Sequence, residues 1–236
     1  MAAMESIKPE LLRLPSGAAP LRWRRSRQAR RISLRIDPAD GAVVVTLPPR
    51  AGRQAALGLL HDNAEWIAAR LAALPLRLPF ADGAPVPLHG EMHHIRHSPT
   101  GRAGVQLQGH TLHVSGDAAF LPRRVADFLR AEARRRFTAL AMAKAARAGL
   151  QPRRISMKDT RTRWGSCSAS GDLAFCWRLV MAPPFVQDYV AAHEVAHLRH
   201  MNHGTRFWAL VATLTPHTEA AMRWLRDEGP RLLRVG

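Results

Sequence analysis

The segment Pro183-Pro184-Phe185-Val186-Gln187-Asp188-Tyr189-Val190-Ala191-Ala192-His193-Glu194-Val195-Ala196-His197-Leu198-Arg199-His200-Met201-Asn202-His203-Gly204 has the make-up of a buried helix that carries its own chemistry. Two prolines suit a first helical turn, and the run predicts a helix through Met201 that stops near Asn202-His203-Gly204. Val186, Tyr189, Val190, Ala191, Ala192, Val195, Ala196 and Leu198 make it apolar nearly all round, the mark of a helix inside a core. Within it lies His193-Glu194-x-x-His197. Imidazoles at i and i+4 stand one turn apart on one face, so both can reach a single zinc ion at about 2.0 to 2.1 Å. Glu194 is then angled beside the metal, placed to accept a proton from zinc-bound water rather than to ligate. A pattern this short also recurs by chance, and ordinary hydrogen-bonded core groups are the plain alternative. Burying two histidines and a glutamate without partners is costly, and a metal resolves that cost.

A catalytic zinc needs a third protein ligand and an open position. His203, six residues past His197, is the expected third ligand, at the spacing of the extended form of this motif. That form usually has Gly where this chain has His200, so Asn202 or Gly204 is expected to supply the left-handed residue of the turn. His200, a turn further along the same face, and the downstream carboxylate Glu219 are the rivals.

Outward from this helix, Ile155 to Lys158 and Leu173 to Trp177 read as strands, joined by a loop through Thr160-Arg161-Thr162-Arg163-Trp164-Gly165. Leu121 to Gly149 reads as a long Arg-rich helix stopped by Gly149. Val86 to Ser115 reads as two hairpins turning at Gly90-Glu91 and Gly109-His110. Leu57, Leu60, Ala64, Ile67, Leu71 and Leu74 step as one amphipathic helix, and Ile32 to Leu47 as a hairpin about Asp37 to Gly41. Residues 1–20 read as a poorly ordered lead-in to a single α+β domain over 21–236, with a hairpin-rich half (21–120) and a catalytic half (121–236).

The 236 residues are 47% apolar with mean hydropathy −0.18, ample for a packed core and short of any bilayer-spanning run. Cys167 and Cys176 form no CxxC pair, which excludes a Cys-rich zinc site and fits a reducing compartment. With no leader-like hydrophobic run at the N-terminus, a soluble cytoplasmic protein without a membrane partner is expected. The 35 basic against 18 acidic residues, net +17, raise nucleic acid as a partner of the basic N-terminal half. Only Lys8, Lys144 and Lys158 are lysines, however, and an Arg-rich, Lys-poor composition also follows from GC-rich coding. The seven arginines from Arg22 to Arg35 are read as a solvated strand face, and Arg123, Arg124, Arg130, Arg134, Arg135 and Arg136 gather on the long helix.

The run from Thr160 to Trp208 resembles the YgjP-like metallopeptidase family, itself similar to SprT-like and other zincin proteases. The resemblance is carried by Arg163-Trp164-Gly165-Ser166-Cys167-Ser168, Trp177-Arg178-Leu179-Val180, Ala182-Pro183, Asp188-Tyr189-Val190, His193-Glu194-Val195-Ala196-His197, Asn202-His203-Gly204 and Phe207-Trp208. A weaker pattern extends it back to about residue 22. It implies a zincin-like catalytic half, a metal on His193, His197 and His203, and Glu194 as base. Cys176, where the family commonly has Asn, and His93-His94, where it tends to an aromatic, depart from the pattern.

The expected activity is therefore zinc-dependent hydrolysis of peptide bonds in a peptide or protein substrate, with one Zn2+ per chain. Arg161 and Arg163 are candidates to stabilise an oxyanion or bind substrate, and Tyr189, one turn before His193, to hydrogen-bond near the metal. The alternatives are a metal-dependent nucleotide or phosphate-anhydride hydrolase, and a nucleic-acid-associated protease. His89, His93, His94, His97, His110 and His113 crowd the middle hairpins; alternation pairs His93 with His97, and these residues are expected to face solvent, a second metal site being the alternative.

Overall fold

The computed structural model describes residues 10–15, 17–100 and 104–236, in a chain that divides into two compact units, 1–75 and 76–236. The division falls at Pro75 rather than at residue 120. The physical reason is that Val86, Ile95, Leu112 and Val114 of the middle hairpins share one core with Val125, Leu129 and Phe137 of the following helix.

In the first unit, strands β1 (Glu10–Leu14), β2 (Gly17–Arg25), β3 (Ser33–Ile36) and β4 (Val43–Leu47) form a sheet of order β1-β2-β4-β3. Residues 10–14 and 17–20, expected in a poorly ordered lead-in, instead pair as an antiparallel hairpin with Glu10 opposite Leu21. Pro15 and Pro20 hide that strand in the sequence. Pro20 is tolerated because the parallel ladder of β2 to β4 begins only at Leu21. Residues 1–9 lie outside the described residues. The hairpin about Asp37 to Gly41 forms as expected, β3 pairing antiparallel with β4. Ala19 and Leu21 of β2 are buried while Arg22 and Arg24 beyond them are exposed, in keeping with a solvated arginine face. The single helix expected over 57–74 is two, α1 (Arg53–Asp62) and α2 (Ala64–Ala72). Asn63 interrupts it, its side-chain amide donating to the Leu59 carbonyl at 2.8 Å in competition with the backbone ladder. Ala56, Leu60 and Ile67 pack with Val43, Val45 and Leu47 in a small core.

The second unit holds two sheets and the remaining helices. Strands β5 (Pro85–Leu88), β6 (Glu91–Ser98), β7 (Gly104–Gln108) and β8 (Thr111–Ser115) are the two expected hairpins, joined by parallel pairing of β6 with β8. Helix α3 (Leu121–Arg147) buries Leu121, Val125, Leu129, Ala133, Phe137, Ala141 and Ala145, a stripe advancing four residues at a time. Gly149 then ends it with φ 61°. Strands β9 (Arg154–Lys158), β10 (Gly165–Cys167) and β11 (Asp172–Cys176) form a mixed sheet of order β10-β11-β9, in which β10 is an edge. Phe137 of α3 stacks on Phe175 of β11 at 4.9 Å between ring centroids. Helices α4 (Pro184–His197), α5 (Thr205–Leu214), α6 (Thr218–Asp227) and α7 (Gly229–Leu232) complete an α+β arrangement of small sheets and helices. Among the described residues no helix is long and apolar enough to cross a membrane.

Candidate metal centre

Helix α4 is as enclosed as its composition predicts: Val186, Gln187, Tyr189, Val190, Ala191, Ala192, Glu194, Val195 and Ala196 are all buried. Polar ties set its position. Gln187, fully buried, donates from Nε2 to the carbonyls of Ala182 (2.7 Å) and Val180 (3.2 Å) and accepts at Oε1 from Arg136 Nε of α3 at 3.1 Å. Lys144 Nζ of α3, also buried, meets Asp188 Oδ1 at 2.6 Å and the Leu214 carbonyl at 2.9 Å, joining three helices at one charge. Ahead of α4, His89 and Gly90 turn the β5–β6 hairpin with φ of 51° and 84°, and Gly90 lies so close to Pro183 that an added Cβ there would stand 2.8 Å from the proline Cα.

The helix ends at His197, four residues earlier than expected, and no left-handed residue turns the chain: His89 is the only non-glycine with positive φ among the described residues, and Gly204 has φ −77°. The turn tightens through short-range bonds instead, Leu198 N to Val195 O and Arg199 N to Ala196 O. His200 is consequently off the helix and offers the site its carbonyl, which accepts from His197 Nδ1 at 3.0 Å. A carbonyl can only accept, so Nδ1 carries the hydrogen and Nε2 of His197 keeps its lone pair.

The loop after that turn carries His203 back to the helix. Its Nε2 lies 3.1 Å from His193 Nε2, and His193, His197 and His203 each offer a nitrogen within 4.8 Å of the others. Two nitrogens bound to one tetrahedral zinc at about 2.0 to 2.1 Å stand about 3.3 Å apart, so the spacing suits a shared ion. Phe207, fully buried at the start of α5, packs against all three rings with centroids 5.0, 4.6 and 4.8 Å away, and Trp208 lies 5.9 Å from His193 and His203. Sequence reasoning assigned no such role to this aromatic floor; the adjacent pair Phe207-Trp208 was its one signal. Glu219, the carboxylate rival, sits in the first turn of α6 beside Ala212, Thr215 and Arg223, and the three histidines group without it.

Electrostatics agree with the donor set. Burial, then the neighbouring His197 and His203, pushes His193 down to about 4, and burial likewise lowers His197, so both are neutral at pH 7, the form that ligates. Tyr189 Oη is 3.4 Å from His193 Nδ1, the position anticipated for it, and is itself buried. Glu194 is 5% exposed, and its Oε2 has no hydrogen-bond partner. Burial pushes its carboxyl up to about 8 against the opposing charge of Arg163. Three converging imidazoles beside a buried, unpartnered carboxyl fit zinc.

Gly165 supplies the room for that carboxyl. An added Cβ would stand 2.3 Å from Glu194 Oε1, so the edge strand β10 can approach α4 only because this residue has no side chain. Arg163, just before β10, lines a cavity of about 250 Å3 with Lys158, Asp159, Thr160, Gly165 and Ser166, whereas Arg161 is not among its lining residues. On α3, Arg130 pairs with Asp127 and Arg135 with Glu132, so part of the helix's positive charge is balanced within the chain.

A family model described as YgjP-like, metallopeptidase domain, matches residues 30–228. The chain belongs to the YgjP-like metallopeptidase family. No curated protein matches it. Among solved structures, the crystal structure of the metallopeptidase zymogen of Pyrococcus abyssi abylysin aligns over 39% of this chain and 95% of its own, at 18% identity and a TM-score of 0.36. In this YgjP-like chain Cys176 is buried and donates from Sγ to the Thr160 carbonyl at 3.4 Å, a weak donor. Cys167 and Cys176 are both free thiols.

Proposed function

We propose that the chain is a zincin-type peptidase in which His193, His197 and His203 hold one zinc ion and Glu194 is the catalytic base. The observation that carries this reading is the convergence of three imidazole nitrogens within 4.8 Å beside a buried Glu194 oxygen that nothing in the described protein engages. Bound there, zinc supplies Lewis acidity, polarising a carbonyl oxygen and making water a stronger acid at neutral pH.

The chain's own groups do the rest. Glu194 Oε2 takes the proton of the water that attacks the scissile carbonyl and returns it to the leaving nitrogen. Tyr189 steadies the His193 ring at Nδ1, and the His200 carbonyl accepts from His197 Nδ1, so His197 keeps its Nε2 lone pair for the metal. Arg163, in the cavity wall beside Gly165, is placed to meet negative charge on the substrate, with Arg161 two residues away in the same loop. An extended peptide would add to the sheet at the β10 edge, main-chain bonds giving affinity.

The test is Glu194→Gln, which keeps shape and hydrogen-bonding capacity but removes the base. Zinc content should match wild type while cleavage of a peptide library falls by about two to four orders of magnitude. Activity near wild type in that variant overturns the assignment.

A further inference from the structure

A second cluster of metal-ligating groups is separate from His193, His197 and His203. Glu91 and His93 of β6 and His110 of the β7–β8 turn each bring one ligand atom within 4.8 Å of the others. His93 is 5% exposed, not on the solvent face that strand alternation suggested, and its partner is His110 rather than His97. His97 is engaged elsewhere, its Nε2 donating to the Gly116 carbonyl at 2.5 Å.

We propose that Glu91, His93 and His110 form a second binding site for a divalent cation of the zinc class. Three features support it. First, His93 Nδ1 lies 3.1 Å from the Glu91 main-chain carbonyl, which can only accept, so Nδ1 carries the hydrogen and Nε2 keeps a free lone pair. This is the device that orients His197, and it is the usual way a ligating histidine is fixed. Second, His93 and His110 face each other with ring centroids 5.2 Å apart, and His110 Nδ1 stands 3.8 Å from Glu91 Oε2, longer than a hydrogen bond and wide enough for an intervening ion. Third, the backbone holds the set in register: His94 N donates to the His110 carbonyl at 2.9 Å where β6 pairs with β8. Two imidazoles and a carboxylate are the ligands zinc, nickel and cobalt share, and the exposed Glu91 and His110 leave the remaining positions to water.

The cation would clip the first hairpin to the second immediately after the His89-Gly90 turn. That turn is itself tied to the approach of α4 by His89 N to Val180 O at 2.8 Å and Gly90 N to Met181 O at 3.2 Å. The site therefore steadies a fold element and takes no part in hydrolysis.

The experiment counts zinc in the full chain after chelation and dialysis against excess zinc. Wild type should hold about two ions, and His110→Ala or Glu91→Gln about one, with peptide cleavage retained, since both side chains are exposed and neither belongs to the α4 centre. His193→Ala should also hold about one, and His193→Ala combined with His110→Ala almost none. Equal zinc in wild type, His110→Ala and Glu91→Gln, all folded by circular dichroism, overturns the second site. If His193→Ala keeps the wild-type count while His110→Ala loses an ion, the reading of the α4 centre fails and this one stands.

Discussion

Replacing Gly165 with alanine probes the closest approach in the centre. The new Cβ would meet Glu194 Oε1 at 2.3 Å and both Cδ and Cγ at 2.6 Å, against ordinary contacts of about 3.5 Å. The carboxyl must therefore retreat by about 1 Å. On an exposed side chain that would cost little, but Glu194 is 5% exposed on a helix buried on nearly every face. Overpacking of this kind costs about 1 to 3 kcal/mol, and a catalytic group displaced by about 1 Å loses about a hundredfold in rate. The expected result is a lower Tm by circular dichroism and a kcat/KM reduced by about two orders of magnitude, with zinc content near wild type because no ligand moves directly. Wild-type kcat/KM and Tm in Gly165→Ala would refute the argument that this glycine exists to seat Glu194.

Two further outcomes are expected. His203→Ala should lose zinc from the α4 centre while Glu219→Ala keeps it, measured by metal content in a His110→Ala background; the reverse would make Glu219 the third ligand. Burial, then the charges of Glu194 and Asp172, pushes the Cys167 thiol up to about 11, so at pH 8 its thiolate is about a hundredfold scarcer than for an ordinary cysteine. Iodoacetamide labelling followed by mass spectrometry should therefore be slow at pH 8 and quicken about tenfold per pH unit until near 11; fast labelling at pH 8 would contradict the burial argument.

What the sequence determined by itself is what neighbouring residues encode. The i, i+4 histidines, the all-round apolar helix, the four-residue stripe of α3, the alternation of β3 and the middle hairpins and the short apolar run of β4 are patterns of a few residues, and their elements formed over those stretches, α4 alone stopping four residues early. The same motif and its extended spacing pointed to Glu194 and His203, and the resemblance along that stretch implied the same residues. Prolines and a polar Asn misled where local signals compete with pairing: Pro15 falls just past β1 and Pro20 just ahead of the parallel ladder that starts at Leu21, so both strands form, and Asn63 splits a helix that periodicity would continue. The end of α4 depended on a three-residue turn and not on a glycine, so neither Asn202 nor Gly204 could reveal it. Only tertiary structure decided that Gly165 faces Glu194, that Phe207 lies against three imidazoles, and that His93 meets His110. Those pairs are set by strand register and by helices packing on a sheet, distances in space between residues far apart in the chain, and no local period carries that information.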